Sequence, residues 1–339
     1  MRQRQGQLLE LHGNRFVTGS PATEQEGHVV KNVQRVALAL ALAAVTPYVV
    51  LKLLWLAGSH VGMRPGTGTG DMHTTRMVVG NVVTLGLQAL AVALAFALAS
   101  TRGRRVPPWL ILLIAGGATG LLAPIAVGLP LGTLIQTAVD GTVSSGNEGN
   151  LEGWVFALVY GGFGILALAL AALLVMHVIE RWGWLLLDAP RPPRQWWARL
   201  AGVAVLPFGL AMCYWGLAGP GEHGPAGMDA VAQRAVLLAT GLLTLIGVTA
   251  PHLAGRGPFS PAVRWALTWT GCATAALQGP AQLLLANAGR PAVLVVALGL
   301  LATPAACVYG FAGLHQHLST PARVVDQEVR VTSTMTRTS

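Results

Sequence analysis

The chain is expected to be an all-α integral membrane protein with eight transmembrane helices. Composition, the blocking of apolar residues and the placement of charge all predict it. Of 339 residues, 53% are hydrophobic and 10% are charged, and mean hydropathy is +0.58. A soluble domain carries about 25% charged residues, so a surface this poor in charge would not stay in water. The apolar residues also come in long blocks, and about 20 apolar helical residues cross a bilayer core of about 30 Å. The blocks cover residues 36–58, 77–99, 107–128, 153–178, 200–218, 231–250, 263–286 and 292–314. Lipid requires every backbone polar group to be satisfied internally, which makes these blocks helices. The alternating pattern of a transmembrane β-barrel is absent.

Charge sets the topology. Arg2, Arg4, Arg15, Lys31 and Arg35 precede the first block, and Arg102, Arg104 and Arg105 lie between the second and third. Arg181, Arg191, Arg194 and Arg199 lie between the fourth and fifth, and Arg256 and Arg264 between the sixth and seventh. Arg323, Arg330 and Arg337 follow the eighth. The intervening loops hold Asp140, Glu148, Glu152, Glu222 and Asp229, although Arg64, Arg76, Arg234 and Arg290 are also on that side. Cytoplasmic loops collect Arg and Lys, so both termini are expected in the cytoplasm, which requires an even number of spans. The net charge of +9 is therefore a topological signal. Nucleic acid would need a clustered basic surface, and none is expected as a partner. The expected location is the plasma (inner) membrane, with the lipid bilayer itself as the first partner. The first thirty residues lack the early apolar region of a cleavable signal peptide, so the first helix is expected to act as its own insertion signal.

The first helix holds Pro47, Tyr48, Lys52 and Trp55 before Ala57 and Gly58. An ionisable side chain within the bilayer is costly and is a functional candidate by default. Lys52 can hold an anionic group beside a proline-kinked helix, pair with Asp140, or snorkel to the nearby boundary. The stretch from Pro47 to Gly58 resembles the first-helix pattern of uncharacterised multi-pass membrane proteins of actinobacteria. That resemblance covers one helix and implies no activity.

The second helix contributes Asn81 and Gln88. The third carries Trp109, the small pair Gly116 and Gly120, and Pro124. Residues 129–150 then form an extra outer stretch, either a re-entrant or interfacial segment or a continuation of the third helix. The fourth helix has Tyr160 to Gly164 and, near its inner end, His177 and Glu180, which are too few for a metal site. A Pro-rich linker from Asp188 to Gln195 follows, flanked by Trp182, Trp184, Trp196 and Trp197 at expected headgroup depth.

The fifth helix repeats the first. Pro207 to Trp215 matches Pro47 to Trp55 in spacing, and Met212 stands where Lys52 does. Trp265 to Pro280 in the seventh matches Trp109 to Pro124 in the third, and Tyr309 to Gly313 echoes the fourth. Pro47, Pro124, Pro207 and Pro280 are thus paired kinks in two parallel four-helix halves. The organisation is a tail 1–32, a first half 33–180, a linker 181–199, a second half 200–315 and a tail 316–339. Gln278 and Gln282, four residues apart beside Pro280, share a helix face. They either line a polar path or hydrogen-bond between helices.

Cys213, Cys272 and Cys307 fall within spans, with no paired spacing, and read as packing residues. No phosphate-binding loop, zinc pair or nucleophile elbow is present. No catalytic residue, metal or cofactor is expected, and the protein is not expected to be an enzyme. The expected function is transport-like binding of a small ligand where the halves meet, around Lys52, Trp55, Asp140, Gln278 and Gln282. The alternative is a membrane accessory or signalling subunit acting through a membrane protein partner or a homo-oligomer.

Overall fold

Helices form wherever the apolar blocks lie, and they outrun most of them. A computed structural model describes residues 21–64, 75–140, 152–253, 258–285 and 291–335, with side chains over 29–64, 78–139, 152–253, 258–284 and 291–319. The helices are α1 (Pro21–Leu56), α2 (Thr75–Ala99), α3 (Pro108–Asp140), α4 (Gly153–Trp182), α5 (Trp196–Ala218), α6 (Val231–Thr249), α7 (Pro261–Leu285) and α8 (Val293–Met335). Seven of them, all but α7, contain a stretch long and apolar enough to cross a membrane. Helix α7 coincides with the seventh expected block but falls short in apolarity. Its polar side chains Arg264, Thr268, Thr274, Gln278 and Gln282 are buried inside the protein.

Three boundaries differ from those set by hydropathy. Helix α3 continues through Pro130 to Asp140, so the first part of the extra outer stretch prolongs the third helix; residues 141–150 lie outside the described residues. Helix α1 begins at Pro21 and α8 reaches Met335, both within stretches expected as tails. Apolar runs mark the part of a helix that lipid covers, whereas Glu24, Gln25, Glu26 and Lys31 are good helix formers in any solvent. Proline opens α1, α3 and α7, where a missing donor costs nothing. At α7 the Val263 N–H also donates to Ser260 Oγ at 3.4 Å.

In the first half, α1 packs on α2 and α4, and α4 on α3. In the second, α5 packs on α6 and α8, and α7 on α6 and α8. Helix α3 joins the halves by lying along α6 and α7. Its row of residues at four-residue spacing, Gly116, Gly120, Pro124, Gly128 and Gly132, explains that contact. A Cβ on Gly128 would come 2.6 Å from the Ala235 carbonyl oxygen, and one on Gly132 would come 2.7 Å from Ala232 Cα. Such small-xxx-small rows let helix backbones approach closely in lipid. At one end of the bundle Arg104 pairs with Glu180 at 2.8 Å, and Gln34 Nε2 donates to the same carboxylate at 3.1 Å. The linker is tied down as well. Trp265 Nε1 donates to the Asp188 carbonyl at 3.0 Å, and the Arg194 N–H donates to Gln316 Oε1 at 2.7 Å.

Candidate functional site

Lys52 lies one turn before the end of α1 at Leu56, and the chain turns away at Gly58 with φ +86°, a conformation that favours glycine. Tyr48 and Trp55, four residues before and three after, share its helix face. The Lys52 ammonium is 5.2 Å from the centroid of each of those rings, within cation–π range. Lys52 Nζ also donates to Asn81 Oδ1 of α2 at 2.6 Å. Each wall is held by a further contact. Trp55 Nε1 donates to the Val61 carbonyl at 2.9 Å. Tyr48 meets Phe163 of α4 edge-on at 5.2 Å. An ammonium has three donors, and Asn81 takes one. Among the described residues no carboxylate pairs with Lys52.

The polar surface continues deeper along α2. Asn81, Thr84 and Gln88 recur at three- and four-residue spacing, which places them on one face. Asn81 is 4% and Gln88 7% exposed. The Gln88 side-chain oxygen has no hydrogen-bond partner among the described residues. Below Gln88 the seam closes on an apolar cluster in which Ala91, Leu94 and Leu98 of α2 meet Ala41 and Val45 of α1.

Helices α5 and α6 form a packed pair as well, with buried Thr240 and Thr244 but without an ammonium or a carboxamide at the contact around Met212. Phe208, Met212 and Trp215 stand on α5 at the spacing of Tyr48, Lys52 and Trp55, and they pack with Leu237 of α6 in one buried cluster. Thr240 Oγ1 donates to Val236 O at 2.8 Å, just as Thr84 Oγ1 donates to Gly80 O at 2.9 Å.

Gln278 lies elsewhere. Proline removes the N–H that would bond the carbonyl four residues earlier. Pro124 therefore frees the Gly120 carbonyl, and Gln278 Nε2 donates to it from α7 at 2.9 Å. Pro280 frees the Ala276 carbonyl, and Thr303 Oγ1 donates to it from α8 at 3.0 Å. Both helices continue unbroken through their prolines. Pro47 and Pro207 likewise sit within continuous α1 and α5. Gln282 is buried one turn beyond Gln278. Asp140 is the last residue of α3, and its side chain lies outside the described residues. The structure thus joins Lys52 to Trp55, Tyr48 and Asn81, while Gln278 bonds α3. No described contact of Lys52 reaches α3 or α7.

The sequence does not single out Thr303: Pro280 marks the Ala276 carbonyl as lacking its helical donor, but the donor lies 27 residues away on another helix. For Gln278, Pro124 likewise marks Gly120 as an acceptor in need of a donor. Among the described residues no group of three or more His, Cys, Asp or Glu is placed to hold a metal ion, and the three cysteines are free thiols. No protein-family model, curated protein or solved structure matches the chain.

Proposed function

We propose that the chain spans the plasma membrane eight times, as two parallel four-helix halves with both termini cytoplasmic, and that it binds a small anionic ligand at Lys52. Helix α7 counts as the eighth span because α3, α6 and α8 flank it. A helix enclosed by others need not be apolar all round, and its polar face here is turned to its neighbours. The repeat is supported by shared neighbour relations in each half and by α1 and α5 both ending at a glycine with positive φ, Gly58 and Gly219.

The ligand reading rests on the contrast between the two helix pairs. Met212 and Leu237 fill the second half with no exposed surface, so this packing needs neither an ammonium nor an amide. Apolar residues commonly replace buried polar pairs at no loss of stability. Lys52 and Asn81 then have a use other than packing, and an ammonium with donors to spare beside aromatic walls fits a carboxylate or phosphate. The site lies within the first half rather than between the halves, because Gln278 is engaged on the Gly120 carbonyl. The test is binding of short carboxylates and inorganic phosphate to the purified protein, read by thermal shift and Trp fluorescence. Lys52→Met is expected to weaken binding about tenfold or more, the scale of one charge-assisted hydrogen bond, and Lys52→Arg to retain part of it. Equal binding by wild type and Lys52→Met removes the reading.

A membrane accessory role is the second reading, and the second half favours it. There Gln278, Thr303 and Tyr309, whose hydroxyl donates to Val248 O at 2.9 Å, all bond between helices. A stoichiometric membrane protein partner or a homo-oligomer co-purifying with the chain, together with no anion binding, would select it.

A further inference from the structure

We infer that the linker between α4 and α5 binds an anionic phospholipid, its phosphate held by Arg191, Arg194 and Arg199 and its acyl chain laid along α5. This rests on the reading that the chain spans a membrane and is independent of the ligand at Lys52. From Gly183 to Arg199 the chain holds those three arginines and one carboxylate, Asp188. All three arginines are exposed. Among the described residues no carboxylate pairs with any of them, and the ion pair at this end of the bundle joins Arg104 to Glu180.

The linker holds the arginines in fixed places. Pro190 and Pro193 are buried, and the Arg194 N–H is tied to Gln316 of α8. Arg199 Nε donates to the Pro193 carbonyl at 2.8 Å, which carries a guanidinium from the first turn of α5 back to the residue before Arg194. That bond uses one of its five N–H donors. A planar guanidinium donates two parallel hydrogen bonds to a phosphate, so arginines gathered in this way suit one.

A strip of α5 makes lipid the source of that phosphate. Trp196, Leu200, Val203, Leu210, Tyr214 and Leu217 stand on one face of the helix, and all are exposed. Trp196 and Tyr214 are eighteen residues apart, or about 27 Å at 1.5 Å per residue, close to a bilayer core of about 30 Å. Trp and Tyr side chains mark the two boundaries of such a core. Trp196, 75% exposed, thus stands where the headgroups begin. Arg191 and Arg194 precede it on the headgroup side, and Arg199 reaches back to them. A soluble acidic partner would use the arginines but not a tryptophan that heads a lipid-facing strip.

Native mass spectrometry of the full chain in detergent measures how strongly phosphatidylglycerol is preferred over phosphatidylcholine with the same acyl chains. Each arginine beside the headgroups is expected to contribute about fivefold to that preference. Arg191→Gln and Arg194→Gln each lower it by that factor, and the two together lower it about twenty-fivefold. The pair Arg102→Gln and Arg105→Gln, exposed at the same end of the bundle, leaves it within about twofold. Unfolding midpoints without lipid are expected to match the wild type, because these four guanidinium groups make no hydrogen bond among the described residues. No preference in the wild type, a preference that the Arg191 and Arg194 variants keep, or an equal loss in the Arg102 and Arg105 pair overturns the inference and leaves the spans and the Lys52 reading standing. Displacement of the bound lipid by an equal concentration of glycerol phosphate or of an acidic peptide gives the arginines to a soluble partner and overturns it as well.

Discussion

Gln278 and Thr303 each donate to a carbonyl that a proline four residues later leaves without its helical partner. In lipid such a carbonyl finds no water, so a neighbouring helix must supply the donor. Interhelical hydrogen bonds in membranes average about 0.6 kcal/mol, and an orphaned buried carbonyl costs about 1–3 kcal/mol. Gln278→Leu is therefore expected to destabilise the protein by about 1 kcal/mol. In a Pro124→Ala background the cost falls towards zero, because the new N–H restores the bond to Gly120. Unfolding of the four proteins of this double-mutant cycle in mixed micelles measures the coupling, and strictly additive costs would refute it. At Lys52 the sequence exposed the residue but not its surroundings. A lone lysine within an apolar block is visible by inspection, whereas Asn81 reaches it from α2, 29 residues along the chain.

Helix α3 shows how much an element's own sequence says. Gly116 and Gly120 read as a close-packing pair, and Gly128 and Gly132 extend the row. Which helices they meet was not readable, because a glycine row specifies close approach and not a partner. The consequence is sharp at single positions. A Cβ at Gly128 would sit 2.6 Å from the Ala235 carbonyl oxygen and 2.8 Å from the Val236 nitrogen, whereas one at Gly117 meets nothing within 4 Å. Gly128→Ala is expected to cost about 1–3 kcal/mol through overpacking against backbone. Gly117→Ala is expected to be neutral or slightly stabilising, since alanine is the better helix former. Thermal unfolding of the two variants in detergent decides the matter; equal midpoints would mean that α3 does not lie this close to α6. The linker is a second case. Its prolines predicted a break, but only the contacts from Trp265 and Gln316 show it fastened to α7 and α8.

At the scale of the molecule, the number of spans and the side of each terminus are one question. Seven spans would put the ends on opposite faces of the membrane, and eight put them on the same face. Reporters active only in the cytoplasm are expected to work when fused to either end and to fail when inserted between residues 141 and 150. A carboxy-terminal reporter active only outside would show that α7 does not cross. The helical class and the approximate position of every helix followed from the sequence alone, because bilayer thickness and backbone satisfaction act on each segment separately. The lone lysine, the prolines and the charge bias followed for the same reason. Tertiary structure decided which polar groups meet. It set Lys52 against Asn81, buried the Gln88 oxygen with no partner among the described residues, and gave Gln278 to a carbonyl 158 residues away. Those outcomes depend on the distance at which two helices pack, and that distance is set by both surfaces at once.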